Sequence, residues 1–344
     1  VVCIFAAIKK SSDMNRTIAV LLLGVSLLTS CKEDMVTPDD PAAGGRLVAK
    51  TADEDPNLPS IFVNGTHLHA QTFGDPTDPM IVFLHGGPGG DYRNALPAAQ
   101  LADDGYFMVF YDQRGSGLSQ RYDAAEYSIQ IMLDDLTAVI DHYRTAYTQP
   151  VFLFGHSWGA MLAAAYVNTY PDRITGVVFA EAGGFNNQLL DEYGSMSRKL
   201  AVLSEATNDI FYYDQLLTGR ENEHEILDYK LALQSPYSYA EGNDEGVEGP
   251  SPFWRYGAVV LRAFVNIAEE EGFDFTTQLG RYIPPVLLLY GENNQAYGRA
   301  FADKEAAFLP NATIAEIADT GHEMIWFQWP AVYQAVLPYF NSFK

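Results

Sequence analysis

Six short segments constrain this chain most: Met80–Leu84, Tyr106–Tyr111, Val151–Phe154, Ile174–Ala180, Val286–Tyr290 and Thr313–Ile317, each rich in apolar, β-branched or aromatic residues. The first reads Met-Ile-Val-Phe-Leu without a polar break, as a strand covered on both faces must. Between them lie helical patterns. Ile129, Leu133, Leu136, Val139, Ile140 and Tyr143 share one helical face, and a second helix is expected from Trp158 to Tyr170. Strands alternating with helices predict an α/β domain whose mostly parallel central sheet is covered on both sides. A starting hairpin joins Ile61–Val63 to His67–Phe73 through Asn64-Gly65. In such sheets chemistry sits beyond the carboxyl ends of the strands. Those ends carry His85-Gly86-Gly87-Pro88-Gly89-Gly90, Asp112-Gln113-Arg114-Gly115-Ser116-Gly117 and Gly155-His156-Ser157-Trp158-Gly159.

The rhythm breaks between 183 and 278, where no buried strand is apparent and Lys199–Leu203, Asp228–Leu233 and Val259–Ile267 look helical. This stretch reads as a helical lid inserted between the fourth and fifth of the six strands, leaving 59–182 and 279–344 as the core. Residues 183–275 hold 17 acidic and 6 basic side chains, a net −11 of the −23 carried by the whole chain. So acidic a field repels phosphate backbones, and no nucleic-acid partner is expected. Cys3 and Cys31, the two cysteines, both precede the domain, which excludes a disulfide, a thiolate zinc site or a cysteine nucleophile within it. No metal and no organic cofactor is expected.

Met14-Asn15-Arg16-Thr17 leads into an apolar run of eleven residues, Ile18–Leu28, followed by Thr29-Ser30-Cys31. A basic start, a short apolar centre and a small-residue exit make a secretory signal over 14–31. The run is too short for a bilayer span, which needs roughly 20 apolar residues. Leu28-Thr29-Ser30-Cys31 resembles the lipobox of bacterial lipoproteins, which implies lipidation of Cys31 and residues 1–13 upstream of the start. Lys32-Glu33-Asp34 resembles the signal that sends some Gram-negative lipoproteins to the cell surface. The implied location is extracytoplasmic, on a lipid anchor in a bacterial membrane, with the surface of the outer membrane as one alternative. Residues 32–58, rich in Asp, Pro, Gly and Ala, read as a flexible tether.

The third strand end carries the chemistry. Gly155-His156-Ser157-Trp158-Gly159 follows a strand and opens a helix, the setting that a G-x-S-x-G nucleophile elbow requires. A serine hydroxyl needs a base within hydrogen-bond reach. Among seven histidines, His322 lies on the loop after the last strand, from which an imidazole reaches over the sheet. His85 is expected to shape the turn after Met80–Leu84. His156 is expected beside the nucleophile but on the wrong side to act on it.

These residues resemble the α/β-hydrolase fold family, in its proline iminopeptidase-like branch, over roughly 60–344. The resemblance rests on His85-Gly86-Gly87-Pro88-Gly89, Asp112 through Ser119, the elbow and Gly321-His322. It implies an oxyanion hole formed by the N–H groups of Gly87 and Trp158, each such donor being worth about 3 kcal/mol. It also implies a structural role for Asp112–Ser119, with Arg114 as a brace. The family usually supplies an aspartate three residues after the glycine that ends the penultimate strand. Here the stretch reads Gly291-Glu292-Asn293-Asn294, so that position holds the amide of Asn294. An amide orients a histidine but cannot stabilise an imidazolium by charge; the equivalent change in a serine protease costs about 10⁴ in turnover. Glu181, 24 residues after Ser157 at the end of Val177-Val178-Phe179-Ala180, offers a replacement one strand earlier, resembling certain haloalkane dehalogenases. Glu292 on a shifted loop is the second alternative. The third is no working acid, on a degenerate scaffold that only binds.

What the resemblance implies is a serine hydrolase acting through an acyl-enzyme, an aminopeptidase that releases N-terminal residues from small peptides. Carboxylates hold a protonated α-amine by charge-assisted hydrogen bonds, and Glu192, Glu205, Glu241 and Glu269 are the lid candidates. A carboxylesterase is the alternative, because His156 stands where iminopeptidases usually carry glycine. Epoxide hydrolase and dehalogenase chemistry needs a carboxylate nucleophile, which Ser157 does not supply. The lid aromatics, Phe253, Trp254 and Tyr256 among them, are expected either to line an apolar pocket or to pack lid on sheet.

Overall fold

A computed structural model of the chain describes residues 46–197, 222–234 and 245–344. The strands are β1 (Ser60–Val63), β2 (Thr66–Phe73), β3 (Met80–Leu84), β4 (Phe107–Tyr111), β5 (Val151–His156), β6 (Gly176–Ala180), β7 (Val286–Gly291) and β8 (Ala312–Ile317). They form one eight-stranded sheet in the order β1-β2-β4-β3-β5-β6-β7-β8. β1 and β2 make the expected hairpin, with Asn64 and Gly65 at φ 45° and 73°, the left-handed conformation this turn demands. β2 pairs antiparallel with β4, and β3 through β8 pair parallel.

Period-two alternation along the buried strands divides the core into two layers. Met80, Val82 and Leu84 of β3 face α1 (Ile129–Tyr143) and α2 (Trp158–Thr169), where Leu136, Val139, Leu162 and Val167 are buried. Ile81 and Phe83 face the opposite layer, built by the 3₁₀ stretch Arg93–Asp104 and by the C-terminal helix Trp329–Asn341. Parallel strands with both faces covered thus explain the unbroken apolar runs.

Three helices of the insertion are described: α3 (Asn187–Ser197), α4 (Glu223–Gln234) and α5 (Ala258–Glu270). Their chain leaves and rejoins the core at one place, where Phe275 N–H donates to the Phe185 carbonyl at 2.8 Å and Asn186 bridges Asp274. The helix expected at Lys199–Leu203 and the signal over 14–31 lie outside the described residues. α6 (Gly298–Ala306), between β7 and β8, has no counterpart in the sequence reading.

The tether expected over 32–58 is corrected in its second half. From Arg46 the chain lies on the domain: Val48, Thr51 and Ala52 are buried, and Ala52 N–H donates to the Leu118 carbonyl at 2.7 Å. Polar composition hid this because the segment is held mainly by charge. Arg46 pairs with Glu54 at 2.7 Å and with Glu225 of α4, and Arg255 donates to the Ala49 carbonyl at 2.7 Å. Asp228 of α4 is the hub of this network. It bonds Arg121 at 3.0 Å, Arg255 at 2.8 Å and the Ala258 N–H that opens α5 at 2.8 Å.

Asp228→Ala leaves two guanidiniums, 8% and 2% exposed, without their shared carboxylate. Denaturant titration is expected to show a loss of about 3–5 kcal/mol, as for breaking other buried pairs. Asp141→Ala, which removes the surface partner of Arg173, is expected to cost under about 1 kcal/mol.

Candidate active site

Two elements meet in the Ser157 elbow. β5 ends at His156, α2 begins at Trp158, and Ser157 between them is held at φ 55°, ψ −123°. A non-glycine residue in this region stores about 1–3 kcal/mol of strain, and the Ser157 N–H bond to the Ala180 carbonyl at 2.9 Å ties the bend to β6. Sterics fix both flanking glycines. A Cβ on Gly155 would lie 2.4 Å from the Gly159 oxygen, and one on Gly159 would lie 1.9 Å from the Leu84 oxygen. Trp158, as the first residue of α2, has an N–H with no acceptor inside the helix. Gly87 stands across from it at φ 129° and lines a cavity of about 390 Å³ together with Ser157 and His322.

The turn carrying Gly87 is braced from below. His85 donates from Nδ1 to the Gly86 carbonyl at 2.8 Å and accepts from the Gln113 N–H at Nε2 at 2.9 Å, which fixes its tautomer. Gln113 in turn bonds the His85 carbonyl and accepts from the Trp158 indole, both at 2.9 Å. Asp112 accepts from the N–H groups of Tyr92 and Leu118 and from His69. Arg114 grips Asp135 through two bonds of 2.7 and 2.8 Å. The Asp112–Ser119 run is therefore scaffolding, and none of it lines the cavity around Ser157.

Glu181 follows β6 at φ 47° and is fully buried. Its Oε2 accepts from His322 Nδ1 at 2.9 Å and from the Asn294 amide at 3.0 Å, and its Oε1 accepts from the Gly291 N–H at 2.7 Å. Because Nδ1 is the donor, Nε2 is the lone-pair nitrogen of the neutral His322 ring. Asn294 is no acid here; it donates to the carboxylate and anchors the N–H groups of Ala296 and Tyr297 through Oδ1. Glu292 is turned away, accepting from the Asp319 N–H at 3.0 Å. Burial opposes the charging of His322, but the hydrogen bond to Glu181 and the charges of Glu245, Glu181 and Glu323 outweigh it and raise the pKa to about 9.

Two supports of His322 escaped sequence reasoning. His156 donates from Nε2 to the His322 carbonyl at 2.7 Å, so the elbow residue holds the loop of the facing histidine. Burial, then the neighbouring His322, depresses the His156 pKa and favours its neutral ring. The lid supplies the second support. The Glu245 carbonyl accepts from the His322 N–H at 2.9 Å, while Glu248 accepts from the Gly321 N–H at 3.1 Å and from the Thr320 hydroxyl. A Cβ at Gly321 would lie 2.1 Å from the Gly246 oxygen, so glycine there is what lets the lid arm approach. The acidic run 245–248 could have been noticed, but nothing in its spacing names a partner 70 residues on.

The lid candidates scatter. Glu192 pairs with Lys304 on the surface, Glu269 lines a second cavity, and Glu205 and Glu241 lie outside the described residues. Phe253 and Tyr256 line the cavity of Ser157, whereas Trp254 packs edge-on against Tyr92 and His69.

A strained serine on a strand–helix elbow, an imidazole opening on the same cavity and a buried carboxylate bonded to that imidazole define the Ser–His–acid class of site on a parallel sheet. Residues 79–328 match the family model described as alpha/beta hydrolase fold, and the chain belongs to that family of hydrolytic enzymes. It is similar to epoxide hydrolase B of Mycobacterium tuberculosis, 39% identical over 119 residues that cover 33% of this chain and only 32% of that protein. It is 26% identical over 234 residues to proline iminopeptidase of Saccharolobus solfataricus, covering 62% of this chain and 70% of that one. Among solved structures, proline iminopeptidase of Mycobacterium smegmatis superposes with a TM-score of 0.55 at 19% identity, over 82% of this chain and 97% of its own.

A base must be neutral to accept a proton, so kcat/KM on an uncharged ester is expected to rise with pH through an inflection near 9. Glu245→Gln removes a charge that favours the imidazolium and shifts the inflection to lower pH. Glu181→Gln shifts it further and lowers the plateau by about 10³–10⁴. A wild-type profile flat above pH 6.5 would contradict this electrostatic account.

Proposed function

We propose that the protein is a serine hydrolase working through an acyl-enzyme. The observation that carries this reading is the bond from His322 Nδ1 to buried Glu181 beside a cavity that also holds Ser157. Ser157 Oγ attacks an acyl carbon while its proton passes to His322 Nε2. The bond from that carbon to the leaving nitrogen or oxygen then breaks, and the leaving atom takes the proton. Water repeats the cycle: its oxygen bonds the acyl carbon, its proton goes to His322, and Ser157 leaves and recovers it. Glu181 stabilises the imidazolium formed in each half. The N–H groups of Gly87 and Trp158 bind the oxyanion.

The substrate reading is an aminopeptidase of the proline iminopeptidase type, acting on small peptides. It is supported by the match to proteins of that name and by the carboxylates of Glu323 and Glu269, one in the lining of each cavity. A carboxylesterase is the second reading, favoured by the histidine at 156 in the elbow. The epoxide hydrolase match does not carry its activity over, since Ser157 replaces the carboxylate that such chemistry needs. The reading also places the enzyme outside the cytoplasm, held to a membrane by a lipid on Cys31.

A fluorophosphonate probe is expected to label the wild type and not Ser157→Ala. Equal labelling of both sinks the mechanism. Turnover of prolyl and alanyl anilides against p-nitrophenyl butyrate separates peptidase from esterase. Cys31→Ser is expected to move the protein from the membrane pellet to the soluble fraction; unchanged partition removes the lipid anchor from the account.

A further inference from the structure

Two cavities meet at the Gly87–Pro88 turn. The first, about 390 Å³, opens on Ser157, His322, Asn94 and Glu323. The second, about 640 Å³, holds Trp158 and none of those four. Gly87, Pro88 and Leu261 line both, so the oxyanion turn is the partition between them. Both linings are mainly apolar; Leu231, Phe253 and Tyr256 belong to the first, and the second also carries the polar side chains of Asn187 and Ser195. Met161 of α2, Leu190 of α3, Phe264 and Val265 of α5 and Phe273 wall the second cavity, while its carboxylates, Asp191 and Glu269, are solvent-exposed.

Acyl transfer dictates how a substrate divides between two such spaces. The tetrahedral carbon carries the serine oxygen, the oxyanion, the leaving atom and the acyl substituent. The leaving atom must take its proton from His322, and so lies on the first-cavity side. The oxyanion points at the N–H groups of Gly87 and Trp158. The space beyond that turn, which Trp158 and Gly87 both border, is open to the acyl substituent. Resting on the acyl-enzyme reading above, we propose that the second cavity is the acyl chamber and that it selects a large apolar acyl substituent. Ligand sites of this size and lining bind by burying apolar surface, and a pyrrolidine ring fills little of it, so within the aminopeptidase reading the chamber departs from proline and favours a larger N-terminal side chain. Two sources share that chemistry: an N-terminal residue with a bulky apolar side chain, or a medium-chain fatty acyl ester.

The test measures kcat/KM for p-nitrophenyl acetate and octanoate and for prolyl and leucyl p-nitroanilides, in the wild type and in Val265→Phe and Ala268→Trp. Both substitutions fill the second cavity from α5, the first by a smaller step. Fluorophosphonate titration counts competent sites in each sample, so unfolded protein is not mistaken for lost specificity. The wild type is expected to prefer octanoate over acetate, or leucyl over prolyl, by at least tenfold. Preference within the esters alone identifies a fatty acyl substrate, and within the anilides alone an aminoacyl one. Filling the chamber is expected to lower that ratio at least tenfold. A labelled, active wild type that favours acetate and proline, or whose ratio survives both substitutions, overturns the chamber assignment alone. A wild type that the probe does not label overturns the acyl-enzyme reading and this assignment with it.

Discussion

The carboxylate of Glu181 holds the site together. It is fully buried, and a buried carboxylate persists only where its oxygens are satisfied. Three donors satisfy it, and each comes from a different part of the chain: Gly291 at the end of β7, Asn294 in the loop beyond, and His322 after β8. A single side chain therefore registers the carboxyl ends of three neighbouring strands against one another. The arrangement also explains the amide at 294. A carboxylate there would stand against Glu181 inside the protein, and two carboxylates sharing a buried site cannot both ionise. Moving the acid by one strand makes an amide the compatible neighbour, because it gives Oε2 a second donor beside His322 Nδ1.

The nucleophile is set by a different force, which is steric. Gly155 and Gly159 remove side chains that would run into backbone at 2.4 and 1.9 Å, and the bend they permit keeps Ser157 at positive φ. Around it the polar contacts run in a closed chain. His85 fixes Gln113, Gln113 fixes the Trp158 indole, and Trp158 opens the helix whose first N–H borders the cavity. Strain at one residue is sustainable because its neighbours are over-determined.

Much of this was legible from residues alone, for reasons that can be named. Strands buried on both faces read as continuous apolar runs, so the sheet was visible. The elbow was visible because a tight turn leaves only glycine at defined spacings. Glu181 comes from the resemblance to hydrolases that carry their acid one strand earlier, and the residues alone leave it beside Glu292 and the absence of an acid as alternatives. What escaped depends on contacts without local pattern. From sequence His156 looks like an idle neighbour of the serine, because its partner, the His322 carbonyl, is 166 positions away. Residues 46–58 look like tether from sequence because ion pairs and single backbone bonds, which follow no period, attach them. α3 and α6 carry too many polar residues for their apolar faces to stand out.

The carboxylates crowding His322 set opposing demands. Glu181 alone suffices to orient the ring, yet Glu245 and Glu323 add charge to its surroundings and help bring the pKa to about 9. More negative potential stabilises the imidazolium, which in the proposed cycle forms when Ser157 attacks and again when water does. It also favours the protonated form of the resting ring, the form that cannot accept a proton. The lid arm that brings Glu245 also holds the His322 N–H and, through Glu248, the two residues before it. Position and basicity of the imidazole are thus coupled in one short segment of the insertion.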